Sequence, residues 1–383
     1  MKSKRNLYIL SLGVFGITTT EFGVIGVLPE IASAFNISIE RAGWLLSAFA
    51  LIVAVFGPFM LLICSSFKRK SLLVSSLLIF TTANILSAYI GNFYLLLLIR
   101  MVPAFFHPVY WSIALSLAEK TSDPADKSKA VSIIFSGLTL ATVLGVPLAT
   151  LMADFFSWQS SFLLTALINS VALAGVQFLL PVIEKEKESP MVFNTKIFRS
   201  TLLWINLFIA FFTIAGMYST YGYMADFLKN ITQMNGKQIS MMLFLFGTVG
   251  ILGNKIAGKY MSRFPFHTPF IFLVLLSCIH LLIYQYGSFL VPMIWIIGLW
   301  GLIHSGGFLI SNVNVTSSVS GSSEFINSIF TSCGNLAVTA GTLSGGFWIA
   351  HYGIANIVWS SMMMMALALL TLFIKKKMME NKS

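Results

Sequence analysis

Residues 68–120 read KRKSLLVSSLLIFTTANILSAYIGNFYLLLLIRMVPAFFHPVYWSIALSLAEK. Two apolar runs, 71–91 and 94–117, are joined by an almost charge-free turn at Gly91-Asn92 and bracketed by cations at both outer ends. A helix needs about 20 mostly apolar residues to cross a hydrocarbon core of about 30 Å. This stretch is therefore a helical hairpin across a bilayer, with both cationic ends on one side. Outward from it, the same unit recurs along the chain: runs at 7–30, 42–65, 129–152, 160–182, 201–227, 239–260, 269–286, 289–315, 323–348 and 352–374 complete twelve spans. With Met1 inside, alternate connections hold Lys2, Lys4, Arg5; Lys68, Arg69, Lys70; Lys120, Lys127, Lys129; Lys185, Lys187, Lys196, Arg199; Lys255, Lys259, Arg263; and Lys375, Lys376, Lys377, Lys382. Arg41, Lys229 and Lys237 fall on the other side, and Arg100 lies within a span. Lys/Arg bias in short loops sets orientation, so both termini are expected in the cytoplasm.

Composition agrees. The chain is 57% hydrophobic and 10% charged, with a mean hydropathy of +0.87. A soluble surface needs far more charge. The net charge of +11 sits in loops next to spans, where it serves topology and contact with anionic lipid, and no nucleic-acid partner is expected. Cys64, Cys278 and Cys333 are far apart and have no metal or disulfide spacing. The basic start MKSKRNLYIL continues as an apolar run past Glu21 to Pro29, so a retained first span is expected rather than a cleaved leader.

The chain divides near its middle. Glu184-Lys-Glu-Lys-Glu-Ser-Pro190, followed by Lys196 and Arg199, is the longest charged stretch. The expected domains are a six-helix bundle over 1–182, a cytoplasmic linker over 183–200 and a second bundle over 201–383. Gly145-Val-Pro147-Leu-Ala-Thr150 in span 5 corresponds to Gly341-Thr-Leu-Ser-Gly-Gly346 in span 11, an offset of 196, and the turn Leu61–Lys70 corresponds to Gly258–His267, an offset of 197. Two parallel six-helix repeats are how many secondary transporters are built, with substrate bound near mid-membrane at the repeat interface. Gly137, Gly145, Gly334, Gly341, Gly345 and Gly346 permit close backbone approach, in static packing or in a seam that moves. Pro58, Pro103, Pro108, Pro147 and Pro292 lie inside spans, where proline kinks helices.

Polar groups inside the membrane are costly there and mark function. Glu21 is the one acid deep in any span. Counting from Leu7 at about 1.5 Å per residue places it about 21 Å from the inner edge, and so about 9 Å from the outer edge of a 30 Å core. Arg100, the one deep base, counts to about 11 Å from the outer side. A pair between spans 1 and 4 follows, either a coupling device or a structural ion pair. His107 lies two turns from Arg100 on the same face, as a packing group or a proton relay. Thr20, Trp111, Tyr218, Tyr221, Asn312 and Asn335 are candidate lining groups. Tyr218, Tyr221 and Tyr223 read partly as an interfacial belt, and Met362–Met365 as lipid-facing or packing surface.

These residues resemble the major facilitator superfamily, and within it the twelve-span drug:proton antiporters of the bacterial sugar-efflux and purine-efflux branch. The stretches carrying the resemblance are Thr20-Glu21-Phe22-Gly23 with Leu28-Pro29-Glu30-Ile31-Ala32; Arg100 with Ala104 and His107-Pro108; Gly137-Leu-Thr-Leu-Ala141 with Gly145-Val-Pro147; Trp158 with Phe162; and Phe246-Gly247, Gly250, Gly253-Asn254 and Gly258. The resemblance covers most of the chain. The superfamily loop Gly-x-x-x-Asp-Arg/Lys-x-Gly-Arg-Lys is degenerate here: Leu61, Ser65 and Lys68 replace its two glycines and its acid, leaving Arg69 and Lys70. The second copy keeps Gly258 and Arg263 but has Ser262 in the acid position. The span-5 motif lacks the Gly-Pro order of typical antiporters.

The resemblance implies an all-α membrane protein with twelve helices in two pseudo-symmetric bundles, monomeric, in the bacterial inner membrane. Its expected work is proton-coupled efflux of a small organic solute, a sugar, nucleoside or drug-like compound, by alternating access. Protons are the coupling ion, no other cofactor is implied, and the chain is not expected to be an enzyme. Glu21, Arg100 and His107 are the expected coupling residues; Gly145, Pro147, Gly258, Arg263, Gly341 and Gly345 are the expected conformational and packing positions. The alternatives are a facilitator or symporter with a structural Glu21–Arg100 pair, a membrane enzyme, and a non-transporting sensor.

Overall fold

The computed structural model describes residues 4–64, 66–121, 127–181, 198–318 and 323–380, and among these every regular element is a helix. Ser65, the linker through residue 197 and position Ser189 lie outside the described residues. Among the described residues, eleven segments are long and apolar enough to cross a bilayer. Spans 1–6 are Lys4–Ala34, Ile39–Cys64, Arg69–Tyr89, Phe93–Ala118, Ala130–Phe155 and Trp158–Leu179; spans 7–10 and 12 are Thr201–Asn230, Gly236–Arg263, His267–Tyr286, Leu290–Thr316 and Ile354–Glu380. Span 11 is the continuous 30-residue helix Ser323–Tyr352. Its Asn, Ser, Thr and Gly content keeps it out of the apolar set. Tyr89, Phe178 and Trp295 are among many large apolar side chains left exposed on span surfaces, as a hydrocarbon solvent permits.

Contacts group the described chain into two units, 4–37 with 44–181 and 235–244, and 38–43 with 198–234 and 245–380. In the first, span 1 packs on spans 5 and 6, span 2 on span 4, and span 3 on spans 4 and 6; in the second, span 7 packs on spans 10, 11 and 12, and span 9 on spans 10 and 12.

Glycine sets the closest seams. A Cβ added at Gly137 would strike the Ser11 carbonyl, and one at Gly145 the Thr19 side chain; in the other unit Gly341 lies against the Ala215 carbonyl and Gly345 against the Ser219 carbonyl. Each glycine follows its partner by 126 residues, the separation also bridged by the Cys333 thiol and the Leu207 carbonyl. A constant separation means parallel helices in one stagger, so span 5 lies on span 1 as span 11 lies on span 7. Gly258 differs: an added Cβ would meet only Leu309, at 3.8 Å. The expected close packing there is not formed. Arg263 lies over the Phe264 ring at 5.3 Å.

The helices break at particular residues. Span 1 is α-helical to Phe22, tightens to a 3₁₀ turn over Gly23–Val27 and resumes at Leu28 with Pro29 in its first turn. Span 5 carries a π turn over Ala141–Gly145 just before Pro147. Proline has no N–H for the i→i−4 bond, and a π turn absorbs the loss. Span 7 breaks after Tyr221 and span 10 after His304. Pro103 and Pro108, by contrast, lie inside one unbroken helix, Phe93–Thr121. The surviving loop cations are anchored: Arg69 Nη1 donates to Ser116 Oγ at 3.2 Å, and Lys70 Nζ to the Leu180 carbonyl at 2.6 Å. A cation at the C-terminal end of span 6 complements the helix dipole.

Candidate functional site

Glu21 occupies the last full turn of the span-1 α-helix, just before its break, and both it and Arg100 are 3% exposed. Its carboxylate does not meet the guanidinium. Glu21 Oε2 lies 3.2 Å from His107 Nε2, close but not aligned as a hydrogen bond. Arg100 instead donates from Nη2 to the Thr20 carbonyl at 2.7 Å and lies over the Phe162 ring at 5.1 Å. The expected direct Glu21–Arg100 pair is thus corrected. Similar depth does not fix azimuth, and Thr20 and Glu21 are about 100° apart around the span-1 axis.

Thr20 is the hub beneath this arrangement. Its hydroxyl donates to the Gly16 carbonyl at 3.0 Å and accepts from Asn84 Nδ2 at 3.0 Å and Asn169 Nδ2 at 3.1 Å. Spans 1, 3 and 6 therefore meet at one hydroxyl, and span 4 joins through Arg100 on the same residue. A small cavity beside Arg100 is lined by Thr19, Thr20, Asn84, Ser161 and Thr165, and Arg100 Nε has no partner there. His107 is framed by Phe49 at 5.8 Å, Phe80 at 6.4 Å and Trp111 at 6.5 Å between ring centres. A carboxylate and an imidazole in an apolar frame can share one proton or take up a second. Which they do depends on the water and charge around them.

Thr20, Glu21, Arg100, His107 and Trp111 thus assemble in the first unit. Tyr218 and Tyr221 lie in the second, where they pack with His304, Phe246 and Trp300. The interfacial reading of the tyrosines is corrected as well: all three are buried, and Tyr223 donates its hydroxyl to the Thr342 carbonyl at 3.0 Å. Asn312 and Asn335 do not join the aromatic group. Asn312 Nδ2 donates to Asn327 Oδ1 of span 11 at 3.0 Å, and Asn335 Nδ2 to the Thr331 carbonyl one turn back at 3.0 Å. Pro147 offers its carbonyl to Ser240 Oγ at 2.8 Å. In the Met362–Met365 run, Met365 is buried against Ser277 and Met363 is exposed, one helix showing two faces. Asn84, Asn169 and His304 were not singled out from sequence. Each is a polar residue inside an apolar run, which was the available signal.

Among the described residues, Glu21 and His107 bring a buried carboxylate and imidazole together within a many-span helical membrane fold. The Major Facilitator Superfamily model matches residues 10–342, and the chain belongs to that family, one of transporters rather than enzymes. It is 28% identical over 348 residues to a "Probable sugar efflux transporter" of Pasteurella multocida (strain Pm70), covering 91% of this chain and 86% of that one. It is 27% identical over 351 residues to a protein of the same description from Helicobacter pylori (strain J99 / ATCC 700824), covering 92% and 90%. Among solved structures, the nucleoside transporter NupG, a point mutant, superposes with a TM-score of 0.77 at 12% identity, covering 97% of this chain and 98% of that one. A bacterial homologue of the human lysosomal transporter Spinster superposes at 0.73 and 15% identity, covering 97% and 96%. These structural likenesses speak to the fold.

Proposed function

We propose that this transporter moves a small organic solute out of the cell in exchange for protons, by alternating access, and that Glu21 with His107 carries the exchanged proton. The observation behind this reading is the buried carboxylate 3.2 Å from an imidazole, with Arg100 held nearby on the Thr20 carbonyl. Spans 1–6 and 7–12 would form its two halves, joined by the linker over 183–200. Thr20 and Trp111 in the first half, and Tyr218, Tyr221, Asn312 and Asn335 in the second, are the candidate substrate-contacting groups, and Gly145, Pro147, Gly341 and Gly345 would set the span contacts within each half. The descriptions of the bacterial relatives support sugar efflux as the first substrate class to try. Measurement of solute accumulation against a pH gradient in proteoliposomes tests the reading. Equal accumulation with the gradient collapsed would remove proton coupling.

Arg100→Ala removes the donor to the Thr20 carbonyl and the guanidinium beside the Glu21 site. Coupled flux is expected to fall roughly tenfold or more, the loss of one charged hydrogen bond of about 2 kcal/mol. Arg100→Lys keeps the charge without the planar fork and should recover part of it. Wild-type coupling in Arg100→Ala excludes the residue from the cycle.

The reading takes the protein to be a monomer of the bacterial inner membrane, and the basic bias of alternate loops supports cytoplasmic termini. In a background lacking native cysteines, single cysteines at Asn92 and Ser157 should react in intact cells with a membrane-impermeant thiol reagent, and one at Ser189 should not. Labelling at Ser189 reverses the orientation.

A further inference from the structure

Arg100 is a buried cation with only part of its hydrogen-bonding capacity used. Its Nη2 donates to the neutral Thr20 carbonyl, and one face of the guanidinium lies over the Phe162 ring. Among the described residues it forms no salt bridge, and its Nε is buried with no hydrogen-bond partner. A buried donor left unpaired is rare, and it is most costly on a charged group. Arg100 also lines a small cavity beside the break in span 1. Thr19, Gly23, Asn84, Ala149, Ser161 and Thr165, from spans 1, 3, 5 and 6, form its walls.

The hydrogens on these walls are already used. Thr19 donates its hydroxyl to the Phe15 carbonyl at 2.7 Å, Ser161 to the Trp158 carbonyl at 2.6 Å and Thr165 to the Ser161 carbonyl at 2.8 Å. Asn84 spends its amide on the Thr20 hydroxyl and the Phe80 carbonyl. A hydroxyl that has given its one proton keeps lone pairs only. The site therefore offers a donor from Arg100 and acceptors elsewhere. An anion would meet lone pairs, and a cation would meet the guanidinium. A water molecule suits both, accepting from Nε and giving its hydrogens to hydroxyl oxygens. The cavity is about one water molecule in size.

We propose that this cavity is a site for one buried water molecule, and that the water positions Arg100 by holding the guanidinium nitrogen that the Thr20 carbonyl does not reach. Fixed on two sides, the guanidinium is kept from turning to the Glu21 carboxylate, which is left to His107. The positioning role rests on the transport reading above; the presence of the water does not. Gly23 keeps the space open. A Cβ there would stand 3.5 Å from the Ala149 Cβ and 3.7 Å from the Thr19 Cγ2, which is ordinary contact with two residues of the cavity wall. Gly23→Ala thus fills the site without displacing its walls.

Hydroxyl-radical footprinting of the purified protein by X-ray radiolysis reads the water directly, because radicals formed from a bound water label the side chains beside it. Phe162 is 3% exposed and borders the cavity, whereas Phe246 is 5% exposed and packed against Tyr221 and Trp300. Phe162 should label several times faster than Phe246, and Gly23→Ala should bring it down to the Phe246 rate. Equal labelling of the two in wild type, or labelling of Phe162 that Gly23→Ala leaves unchanged, overturns the water. A melting temperature that rises in chloride against gluconate at equal ionic strength, and only in wild type, puts an anion in the cavity and overturns it too. In proteoliposomes Gly23→Ala should lower pH-gradient-driven accumulation about tenfold, the effect of one lost hydrogen bond, and lower counterflow less. Gly23→Ser brings a hydroxyl into the same space, so it should recover part of that accumulation with Phe162 still unlabelled, which guards against simple misfolding. Full accumulation by a Gly23→Ala protein that has lost the label overturns the positioning role. Water-dependent labelling in a protein that accumulates nothing in a pH gradient supports the site and overturns proton coupling instead.

Discussion

Glu21→Gln is expected to abolish pH-gradient-driven accumulation while leaving substrate counterflow within a few fold of wild type. The substitution keeps volume and removes the proton. Glu21 is 3% exposed, and its described charge partner is His107, so a neutral amide at this depth needs no counter-ion and the helix should fold. A carboxyl group can bind and release a proton during the cycle, and an amide cannot. Coupled accumulation should fall at least about a hundredfold, equivalent to about 3 kcal/mol of lost driving free energy. Glu21→Asp should retain part of the activity with its carboxylate drawn back by one methylene. His107→Gln separates the partners: if the pair shares the proton, it should impair coupling more than counterflow. Full uphill transport by purified Glu21→Gln would assign Glu21 and His107 to structure alone.

Gly341→Leu should be strongly damaging to assembly. A Cβ at that position would run into the Ala215 backbone, not into a flexible side chain, so span 11 must leave span 7 before any larger group fits. In lipid such contacts are held by close packing without a hydrophobic drive between helices. Overpacking of this kind costs about 1–3 kcal/mol, occasionally more. A drop in melting temperature, or loss of the monodisperse peak in detergent, is the measurement. Gly137→Leu, against the Ser11 carbonyl, should behave alike. Gly258→Ala, with only Leu309 at 3.8 Å, should leave the melting temperature unchanged. Equal effects at Gly341 and Gly258 would show that glycine flexibility, not steric contact, sets these positions.

The spans were legible because a bilayer imposes length and hydropathy on each helix separately. Span 11, expected over 323–348, is helical over Ser323–Tyr352 although it is among the more polar of the spans. Glu21 and Arg100 were legible as buried charges because charge is rare in apolar runs. Their partners were not, since a residue count gives depth along an axis but not rotation about it. His107 shares a face with Arg100, so either could have met the carboxylate, and the rotation of span 1 selects His107. The Thr20 hub was invisible for a related reason. Asn84 and Asn169 carry no charge, and their convergence on one hydroxyl needs three helices to be placed at once. His304 was within reach. An offset of 197 had been found in the loop after span 2, and applied to His107 it lands on His304.

The seams with one stagger, each glycine 126 residues beyond its partner, have a consequence for how sequence change is tolerated in this molecule. A saturation-mutagenesis map of the chain should partly superpose on itself when folded back by 196 or 197 positions, because span 5 meets span 1 in the stagger with which span 11 meets span 7. Where the folded map disagrees, shared architecture is not the reason a residue is kept. Position 21 against 218 and position 100 against 297 are where the strongest disagreement is expected, and further mismatches of that strength would point to residues that diverged for work after the ancestral half was doubled.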